Sequence, residues 1–156
     1  MTAKNVVPKE IVAREAIEVS EGETLSILAK KYYQDLNPTV IDFLLEANPD
    51  IKNVNLINVS QKIKLPDLHE ENLLISSGNG IWKIHLGTFE SPRSMEYFQK
   101  EKALKGKKIH TSERRVSPRE TWYRIIAEEF SSREEGIQAI RKMKEKGLLP
   151  VLDKKS

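Results

Sequence analysis

Residues 16–32 (AIEVSEGETLSILAKKY) decide how the first half of the chain folds, because they place a strand, a turn and a helix in succession. Polar and apolar side chains alternate weakly from Ala16 to Val19, which suits a short strand. The turn ends at Thr24, a residue type that caps helix N-termini well. Beyond it, apolar side chains recur at helical spacing, at Leu25, Leu28, Ala29 and Tyr32. This stretch therefore predicts a strand followed by an amphipathic helix over 25–33.

The residues that follow add a second helix and return to a strand. Residues 37–39 (Asn-Pro-Thr) mark a break and a restart, and the apolar segment at 40–47 predicts the second helix. That helix ends before Pro49, because the residue preceding a proline is disfavoured in the helical conformation. Residues 61–65 alternate as a strand. The order strand, helix, helix, strand predicts two antiparallel strands under two short helices.

Flanking segments complete the organisation of this first half. Residues 1–15 are polar without a sustained apolar period, and they predict a flexible lead-in. Residues 73–75 are apolar, and they fit either a short strand or a contact between domains. Residues 76–80 (Ser-Ser-Gly-Asn-Gly) are typical of a linker. The sequence thus predicts a first unit at 16–66, a linker at 67–79 and a second unit at 80–153.

The second unit is predicted to contain six elements in the order strand, helix, strand, strand, helix, strand. They lie at 82–86, 91–106, 109–116, 122–127, 132–147 and 149–152. This order is the ferredoxin-like βαββαβ arrangement, with a four-stranded antiparallel sheet. Both helices would cover one face of the sheet, and the other face would stay open with His85, Trp122 and Arg124 on it. The fold class is therefore α+β.

Composition narrows the functional classes. The 156 residues are 38% hydrophobic and 31% charged, and no run of about 18 apolar residues exists that could span a membrane. The absence of Cys excludes disulfides and thiolate chemistry. Residues 1–80 carry 8 Lys and Arg against 12 Asp and Glu, a net charge of −4, whereas residues 81–156 carry 18 against 11, a net charge of +7. This asymmetry indicates two units with different surfaces.

Four blocks in the first unit resemble a LysM domain. They are Val19-x-x-Gly22-Glu23-Thr24-Leu25, Leu28-Ala29-x-x-Tyr32, Ala47-Asn48-Pro49-x-Ile51 and Ile57-x-Val59-x-Gln61-Lys62-Ile63-x-Leu65-Pro66. LysM domains have a small βααβ fold and bind glycans that contain N-acetylglucosamine. The resemblance implies a shallow groove between two loops, formed by Gly22, Glu23, Thr24, Leu25, Pro49, Asp50 and Ile51. This chain has Ser60 where the family has a Gly, at a turn position where a positive φ favours glycine.

The second unit resembles a SPOR domain. The resemblance is carried by Leu86-Gly87-Thr88-Phe89, by Trp122-Tyr123-Arg124-Ile125 and by Phe130-Ser131-Ser132-Arg133-Glu134-Glu135-Gly136. SPOR domains bind peptidoglycan, with a preference for glycan strands stripped of their peptides. The binding residues implied on the open sheet face are His85, Thr88, Trp122 and Arg124. His85 replaces a typical Gln, Glu128-Glu129 replaces a Gly-Pro, and Lys102 replaces an apolar helix residue.

The side chains at these positions can bind sugars, and each also has a simpler interpretation. Trp122 offers a flat apolar ring for a sugar face, or it packs under a loop or under the first unit. Arg124 can donate paired hydrogen bonds to sugar groups, or it forms a surface ion pair with Glu120 or Glu128. His85 could bind an acetamido carbonyl, or it is a structural polar residue.

No catalytic or metal-binding constellation is visible. The three histidines, His69, His85 and His110, form no HExxH motif, and neither a nucleophile elbow nor a phosphate-binding loop occurs. The acidic residues Asp35, Asp42, Glu46 and Asp50 are interpreted as a solvated face. We therefore expect a non-enzymatic protein with no cofactor and no metal.

The two resemblances predict one function, the non-catalytic binding of peptidoglycan glycan strands. The implied role is to target an attached bacterial envelope protein to the cell wall or septum, with envelope or division proteins as partners. The expected location is periplasmic or wall-associated, with any export or anchoring segment outside this chain. The alternative is a nucleic-acid-binding module that uses the basic open sheet face, for which Lys102 to Arg124 hold eight Lys and Arg.

Overall fold

The computed structural model describes the backbone of residues 7–8 and the whole of residues 11–155. In these residues the strands are β1 (Val7–Pro8), β2 (Val12–Glu18), β3 (Lys62–Asp67), β4 (Leu74–Gly78), β5 (Ile81–Phe89), β6 (Lys108–Ser117) and β7 (Glu120–Phe130). The α-helices are α1 (Leu25–Tyr32), α2 (Pro38–Ala47) and α3 (Arg133–Glu145). Three short 3-10 helices lie at Glu70–Leu73, Pro92–Tyr97 and Lys102–Leu104.

The N-terminal unit has the predicted order strand, helix, helix, strand. β2 pairs antiparallel with β3. The two helices α1 and α2 lie between these strands in the sequence, and they pack against each other. Thr24 caps α1, because its hydroxyl accepts a hydrogen bond from the amide of Ile27 at 3.1 Å. The side chain of Asn48 ends α2 and ties it to β3 by bonding Leu44 O at 2.8 Å and Lys64 O at 2.9 Å. The predicted cap at Thr24 and the predicted end of the second helix before Pro49 are confirmed, whereas α1 ends one residue earlier than predicted and α2 begins two residues earlier.

The C-terminal unit contains the predicted four-stranded antiparallel sheet. Its strands lie in the order β4-β5-β7-β6, and the two-residue β1 adds a fifth strand beside β4. α3 packs against β4, β5 and β7 on one face of this sheet. Gly136 allows a close approach, since a Cβ atom there would lie 2.5 Å from Leu74 Cδ1. This contact accounts for the glycine that ends the Glu134-Glu135-Gly136 sequence.

The prediction of a last strand at 149–152 is wrong, and so is the prediction that 76–80 is a linker. β4 takes the sheet position beside β5, and Asn79 (φ 53°) and Gly80 (φ 76°) form a two-residue hairpin turn between the two strands. An Asn-Gly pair favours this turn, because both residues tolerate positive φ. Residues 149–152 are not in a strand. Pro150 lacks an amide donor for a strand ladder.

The segment after residue 150 instead packs against the N-terminal unit. Gln34 N donates to Asp153 O at 2.9 Å, and Lys155 N donates to Tyr32 O at 2.9 Å. The side chain of Asn37 donates to Val151 O at 3.0 Å. These bonds fasten residues 151–155, which we call the C-terminal strap, to the end of α1 and the loop that follows it.

The predicted helix at 91–106 is also wrong, because this segment holds two short 3-10 helices. The Ser91-Pro92 start is confirmed, since the Ser91 hydroxyl accepts from Arg93 N at 3.2 Å. Only Phe98 and Leu104 are buried in the segment, and the exposed Lys102 stands where a helix would need an apolar residue. A continuous helix would therefore have too narrow an apolar face to pack against the sheet.

Part of the predicted lead-in is paired in strands. Residues 12–15 belong to β2, and residues 7–8 pair with β4. Residues 1–6 and 9–10 of the predicted lead-in lie outside the described residues. Residue 11 is described, and it is in neither a helix nor a strand. The buried hydrophobic side chains of both units form one continuous cluster, so the core does not stop at the boundary between them.

Ser60 has a φ of 72°, as expected at a position where glycine is usual. We predict that Ser60→Gly raises the free energy of unfolding by about 1 kcal/mol, because it removes the steric cost of a side chain in the left-handed region. Ser20→Gly, at a residue without positive φ, should give no gain. Urea denaturation measures both values, and equal effects of the two substitutions would contradict the assignment of strain to Ser60.

Candidate binding surfaces

Helix α2 covers the sheet face that the sequence predicted to be open. Thr88 N on β5 donates to the Thr39 hydroxyl at 2.9 Å, so the start of α2 is bonded to the sheet. Arg124 on β7 reaches both Asp42 and Glu46 on α2. The prediction of an open face is therefore wrong, and the residues placed there lie at an interface between the two units.

Asp42 is the centre of this interface. Its carboxylate is 1% exposed, and it accepts from Arg124 Nε at 2.7 Å and from Arg124 Nη2 at 2.6 Å. Arg114 Nε donates to it at 3.0 Å, and the Thr88 hydroxyl donates at 2.6 Å. Charge-assisted, paired bonds of this kind are among the strongest that side chains form. Asp42 therefore does not belong to a solvated acidic face, and that interpretation is corrected.

The ionisation of this group follows from its partners. Burial alone would raise the pKa of Asp42, but the hydrogen bonds and the positive charge of Arg124 hold that pKa below its usual value. Burial likewise acts to lower the pKa of Arg124, but the hydrogen bond and charge of Asp42 raise it above its usual value. Glu46 accepts from Arg124 Nη2 at 3.0 Å and lies 3.3 Å from Arg114 Nη2. The four side chains thus form a neutral cluster of two carboxylates and two guanidinium groups.

His85 is buried beside this cluster. Its Nε2 atom lies 2.9 Å from the Thr88 hydroxyl, which already donates to the Asp42 carboxylate. A carboxylate can only accept, so Thr88 must accept from His85, and Nε2 carries the imidazole proton. Burial lowers the pKa of His85 to about 4, so the ring is neutral at pH 7. The Phe43 ring of α2 lies 5.7 Å from it, centroid to centroid.

Trp122 is 8% exposed and belongs to the shared hydrophobic cluster. Its Nε1 atom donates to Glu120 Oε2 at 2.9 Å. It shares the covered face of β7 with Arg124, two residues away. The ring therefore has the simpler of its two predicted interpretations, that of a packed side chain.

The two loops of the N-terminal unit that the sequence singled out are more accessible. Gly22, with a φ of 84°, and Thr24 are exposed in the first loop, and Pro49 and Asp50 are exposed in the second. Glu23 accepts from Ser20 N at 2.8 Å and is half-buried. Two further residues of the predicted groove, Leu25 and Ile51, are buried in the core beneath the loops.

Gln61 connects these loops, and the predicted site omitted it. Its Oε1 atom accepts from Asn58 N at 2.8 Å, and its Nε2 atom lies 3.4 Å from Asp50 Oδ2. Its carbonyl oxygen accepts from Val19 N at 2.9 Å, which is just before the first loop. Gln61 belongs to the fourth block of the LysM resemblance, and this was the sequence signal that could have placed it in the predicted site.

A cleft of about 280 Å³ remains between α2 and the sheet. Its floor crosses β4, β5, β7 and β6 at Ile75, Lys83, His85, Arg124, Ile126, His110 and Ser112. Its walls are formed by Asp42, Phe43 and Glu46 of α2 and by Ile11 and Asn72. The cleft is the accessible remainder of the sheet face that α2 covers.

Two family models match the chain in the order that the sequence predicted. The LysM domain model matches residues 17–66, and the SPOR domain model matches residues 78–152. The chain contains a LysM domain followed by a SPOR domain. Comparisons with curated proteins and with solved structures found no match.

LysM and SPOR domains are peptidoglycan-binding modules and not catalytic ones, so both halves of the chain support cell-wall glycan as the ligand and an envelope-associated location. Among the described residues, no helix is long and apolar enough to cross a bilayer. The same part of the chain holds no group of three or more His, Asp or Glu side chains arranged as metal ligands.

Asp42 should dominate the stability of the joint between the LysM and SPOR domains. We predict that Asp42→Ala lowers the free energy of unfolding by about 3–5 kcal/mol, because it leaves Arg124 and Arg114 without their shared carboxylate. Asp50→Ala, at an exposed loop position, should cost less than about 1 kcal/mol. Urea denaturation of both variants checks this. A loss of stability at Asp42 as small as that at Asp50 would show that the cluster does not hold the joint.

The buried His85 makes stability depend on pH. The unfolded chain binds a proton at His85 near pH 6.5, and the folded chain does so only near pH 4, so acidification favours unfolding in this window. We expect the free energy of unfolding to fall by about 2.5 kcal/mol from pH 7 to pH 4.5 through this group. His85→Gln should flatten that slope, and Thr111→Val, at an exposed residue without a titratable side chain, should not. Urea titrations at several pH values measure it, and parallel slopes for wild type and His85→Gln would reject the assignment.

Proposed function

We propose that the chain binds the glycan strands of peptidoglycan without cleaving them, and that the LysM loops are its principal contact surface. The proposed contacts are made by Gly22, Glu23, Thr24, Pro49 and Asp50, with Leu25 and Ile51 supporting the loops from the core. The observation that carries this assignment is the contrast in accessibility. The LysM loops are exposed, whereas His85, Thr88 and Arg124 contact α2 and Trp122 is buried in the shared hydrophobic cluster.

The first LysM loop has the chemistry to receive an acetamido sugar. Gly22 has no side chain, and a Cβ atom there would meet nothing within 4 Å, so a ligand can approach the backbone closely. The loop leads into the N-terminus of α1, where the first amide groups have no acceptor within the helix. The Thr24 hydroxyl satisfies only the amide of Ile27. The amides of Leu25 and Ser26 are therefore suited to the carbonyl and hydroxyl oxygens of a sugar.

The second loop supplies hydrogen-bond acceptors for a sugar, and a side chain holds this loop in position relative to the first. Asp50 is exposed, and its carboxylate can accept from sugar hydroxyls. Gln61 connects this loop through Asp50 to the strand that precedes the first loop. The shape of the groove is thus set by a hydrogen-bonded side chain and not only by the paths of the two loops.

The SPOR resemblance implies that His85, Thr88, Trp122 and Arg124 are direct glycan ligands, and their contacts within the chain support a different role. Within the described residues, the hydroxyl of Thr88 and the ring Nε2 of His85 are bonded to each other, and Thr88 is bonded to Asp42. A sugar would have to displace these partners and α2 together. We therefore propose that His85, Thr88 and Arg124 hold α2 in place, and that Arg124 alone of the four residues retains a donor for a ligand.

The biological role that fits a double wall-binding module is targeting. We propose that the chain holds an attached envelope protein at the cell wall or septum, on the periplasmic side, near envelope or division proteins. The support is that both domains belong to families that bind the same polymer. Binding elements that are joined raise each other's effective concentration on a shared polymer when both can engage.

The nucleic-acid alternative depended on an open sheet face with an exposed aromatic ring. Trp122 is 8% exposed, and α2 covers the face around Arg124. Single-stranded nucleic acids bind such sheets by stacking bases on accessible rings. No observation in the structure favours this function.

A substitution at Gly22 tests the LysM surface without changing the backbone. We predict that Gly22→Asn raises the dissociation constant for an N-acetylglucosamine tetrasaccharide about tenfold, because asparagine tolerates positive φ while its side chain fills the space that the sugar needs. The same variant should reduce the fraction of protein that sediments with purified sacculi. Isothermal titration calorimetry and sedimentation give the two readouts.

The chain offers a matched control for this variant. Gly147 has a φ of 73°, and a Cβ atom there would also meet nothing within 4 Å. It lies beyond the end of α3, outside the LysM domain. Gly147→Asn should therefore bind like the wild type. Equal binding by both Asn variants would remove the first LysM loop from the site, and failure of the wild type to sediment with sacculi would overturn the proposed function.

A further inference from the structure

We propose that a cleft at the joint between the LysM and SPOR domains binds the carboxylates of a peptidoglycan stem peptide, so that the chain favours glycan that still carries its peptides. The inference rests on the proposed function and names the form of the polymer that is selected. This cleft, which we call the joint cleft, has a volume of about 390 Å³. It is lined by Pro49, Ile51 and Lys52 of the LysM domain and by Arg114, Arg115 and Val116 of β6.

The joint cleft adjoins the proposed glycan groove. Pro49 and Ile51 belong to both, because the second LysM loop contributes to each. Further along the same loop, Val54 N donates to Val116 O at 2.7 Å, so the loop is bonded to β6. Stem peptides branch from the lactyl groups of the glycan strand. A strand held in the LysM groove therefore brings a peptide within reach of the joint cleft.

Lys52 and Arg115 supply two positive charges that no carboxylate of the described residues neutralises. Lys52 is exposed and forms no hydrogen bond or ion pair with a described residue. Arg115 is also exposed, and its Nη1 atom donates to a neutral group, Pro118 O, at 2.8 Å. Asp50, two residues from Lys52, instead has its Oδ2 atom 3.4 Å from Gln61 Nε2. The two cations are therefore available to a ligand.

The other charged groups at the joint cleft balance each other. Glu46 and Arg114 line it, and they belong to the neutral cluster that they form with Asp42 and Arg124. That cluster leaves the two cations uncompensated. An anionic ligand would neutralise them, and a guanidinium group binds a carboxylate through paired hydrogen bonds.

The charges and the lining favour a stem peptide over a stripped strand. A peptide that begins with L-Ala and D-Glu carries a methyl group and two carboxylates, whereas a stripped strand has a single lactyl carboxylate at each N-acetylmuramic acid. Two cations match the peptide better. Pro49, Ile51 and Val116 add apolar atoms against which methyl and methylene groups can pack. The proposed selection is the reverse of the preference for stripped strands that the SPOR resemblance implies.

The test uses the whole chain and three soluble probes. The first is the disaccharide of N-acetylglucosamine and N-acetylmuramic acid carrying L-Ala-D-Glu, the second is its diamide, in which both carboxylates are converted to amides, and the third is the disaccharide without a peptide. In isothermal titration calorimetry we expect the first probe to bind about fivefold more tightly than either of the others. That advantage should shrink at high salt, because exposed charges are screened.

Paired variants locate the effect. Lys52→Gln together with Arg115→Gln should remove the advantage of the acidic probe, and Lys52→Gln alone should reduce it about twofold. Arg141→Gln together with Lys142→Gln, which removes the same two charges from exposed positions on α3, should retain it. Gly22→Asn should weaken all three probes by the same factor, because it alters the sugar contact and leaves the cations in place. The amide spectrum of each variant checks its folding.

The outcomes separate the joint cleft from the LysM groove. Equal affinity of the wild type for the acidic probe and its diamide, together with weaker binding by Gly22→Asn, would overturn the joint cleft and leave the proposed function standing. Equal affinity for the acidic probe and for the disaccharide without a peptide would overturn the selection of stem peptides. An advantage that persists in the double variant of Lys52 and Arg115 would place the carboxylates elsewhere and overturn the assignment. Failure of the wild type to sediment with sacculi would overturn the proposed function and, with it, the inference.

Discussion

The arrangement of the two domains depends on one buried carboxylate. A charge that is removed from water costs several kcal/mol unless partners replace the lost hydration, and Asp42 obtains those partners only from the SPOR sheet. The guanidinium groups of Arg114 and Arg124 and the hydroxyl of Thr88 donate hydrogen bonds to Asp42, and these bonds fix the position of α2 on the sheet. The covered sheet face, the neutral His85 and the cleft all depend on that position of α2, because each is made by it.

The same chemistry that suits SPOR residues to sugars also suits them to a neighbouring helix. Arginine, threonine and histidine present fixed donors, and a helix that carries a carboxylate and a hydroxyl supplies matching oxygens in the place of a glycan. The residue types at Thr88 and Arg124 therefore agree with the family pattern while their partners lie within the chain. Motif agreement identified the fold of this half, and only the contacts identified what its residues bind in this structure.

Signals that depend on near neighbours in the sequence were readable. Thr24 and the Asn48-Pro49 pair mark helix ends because capping and proline geometry act within one turn, whereas the turn at Ser60 was expected from the resemblance to the LysM family. Asn79-Gly80 is an equally local signal for a hairpin turn. It was interpreted as part of a linker because serines and a glycine precede it at 76–78. The Asp42–Arg124 pair could not be read, because 82 residues separate its members. From the sequence alone, an acidic residue on an amphipathic helix has the same pattern whether it faces water or a guanidinium group.

The C-terminal strap has a consequence for synthesis in the cell. Residues 151–155 bond to the end of α1 and the loop after it, so these contacts of the LysM domain wait for residues made much later, 114 positions later in the case of Asn37 and Val151. β4, most of which precedes the SPOR match, likewise cannot take its place in the sheet beside β5 until β5 emerges from the ribosome. The fastening between the two domains is therefore complete only after residues 151–155 have been made, even though each helix can form as it is made. An mRNA truncated anywhere before the codon of residue 151 would yield a chain whose two domains lack this fastening.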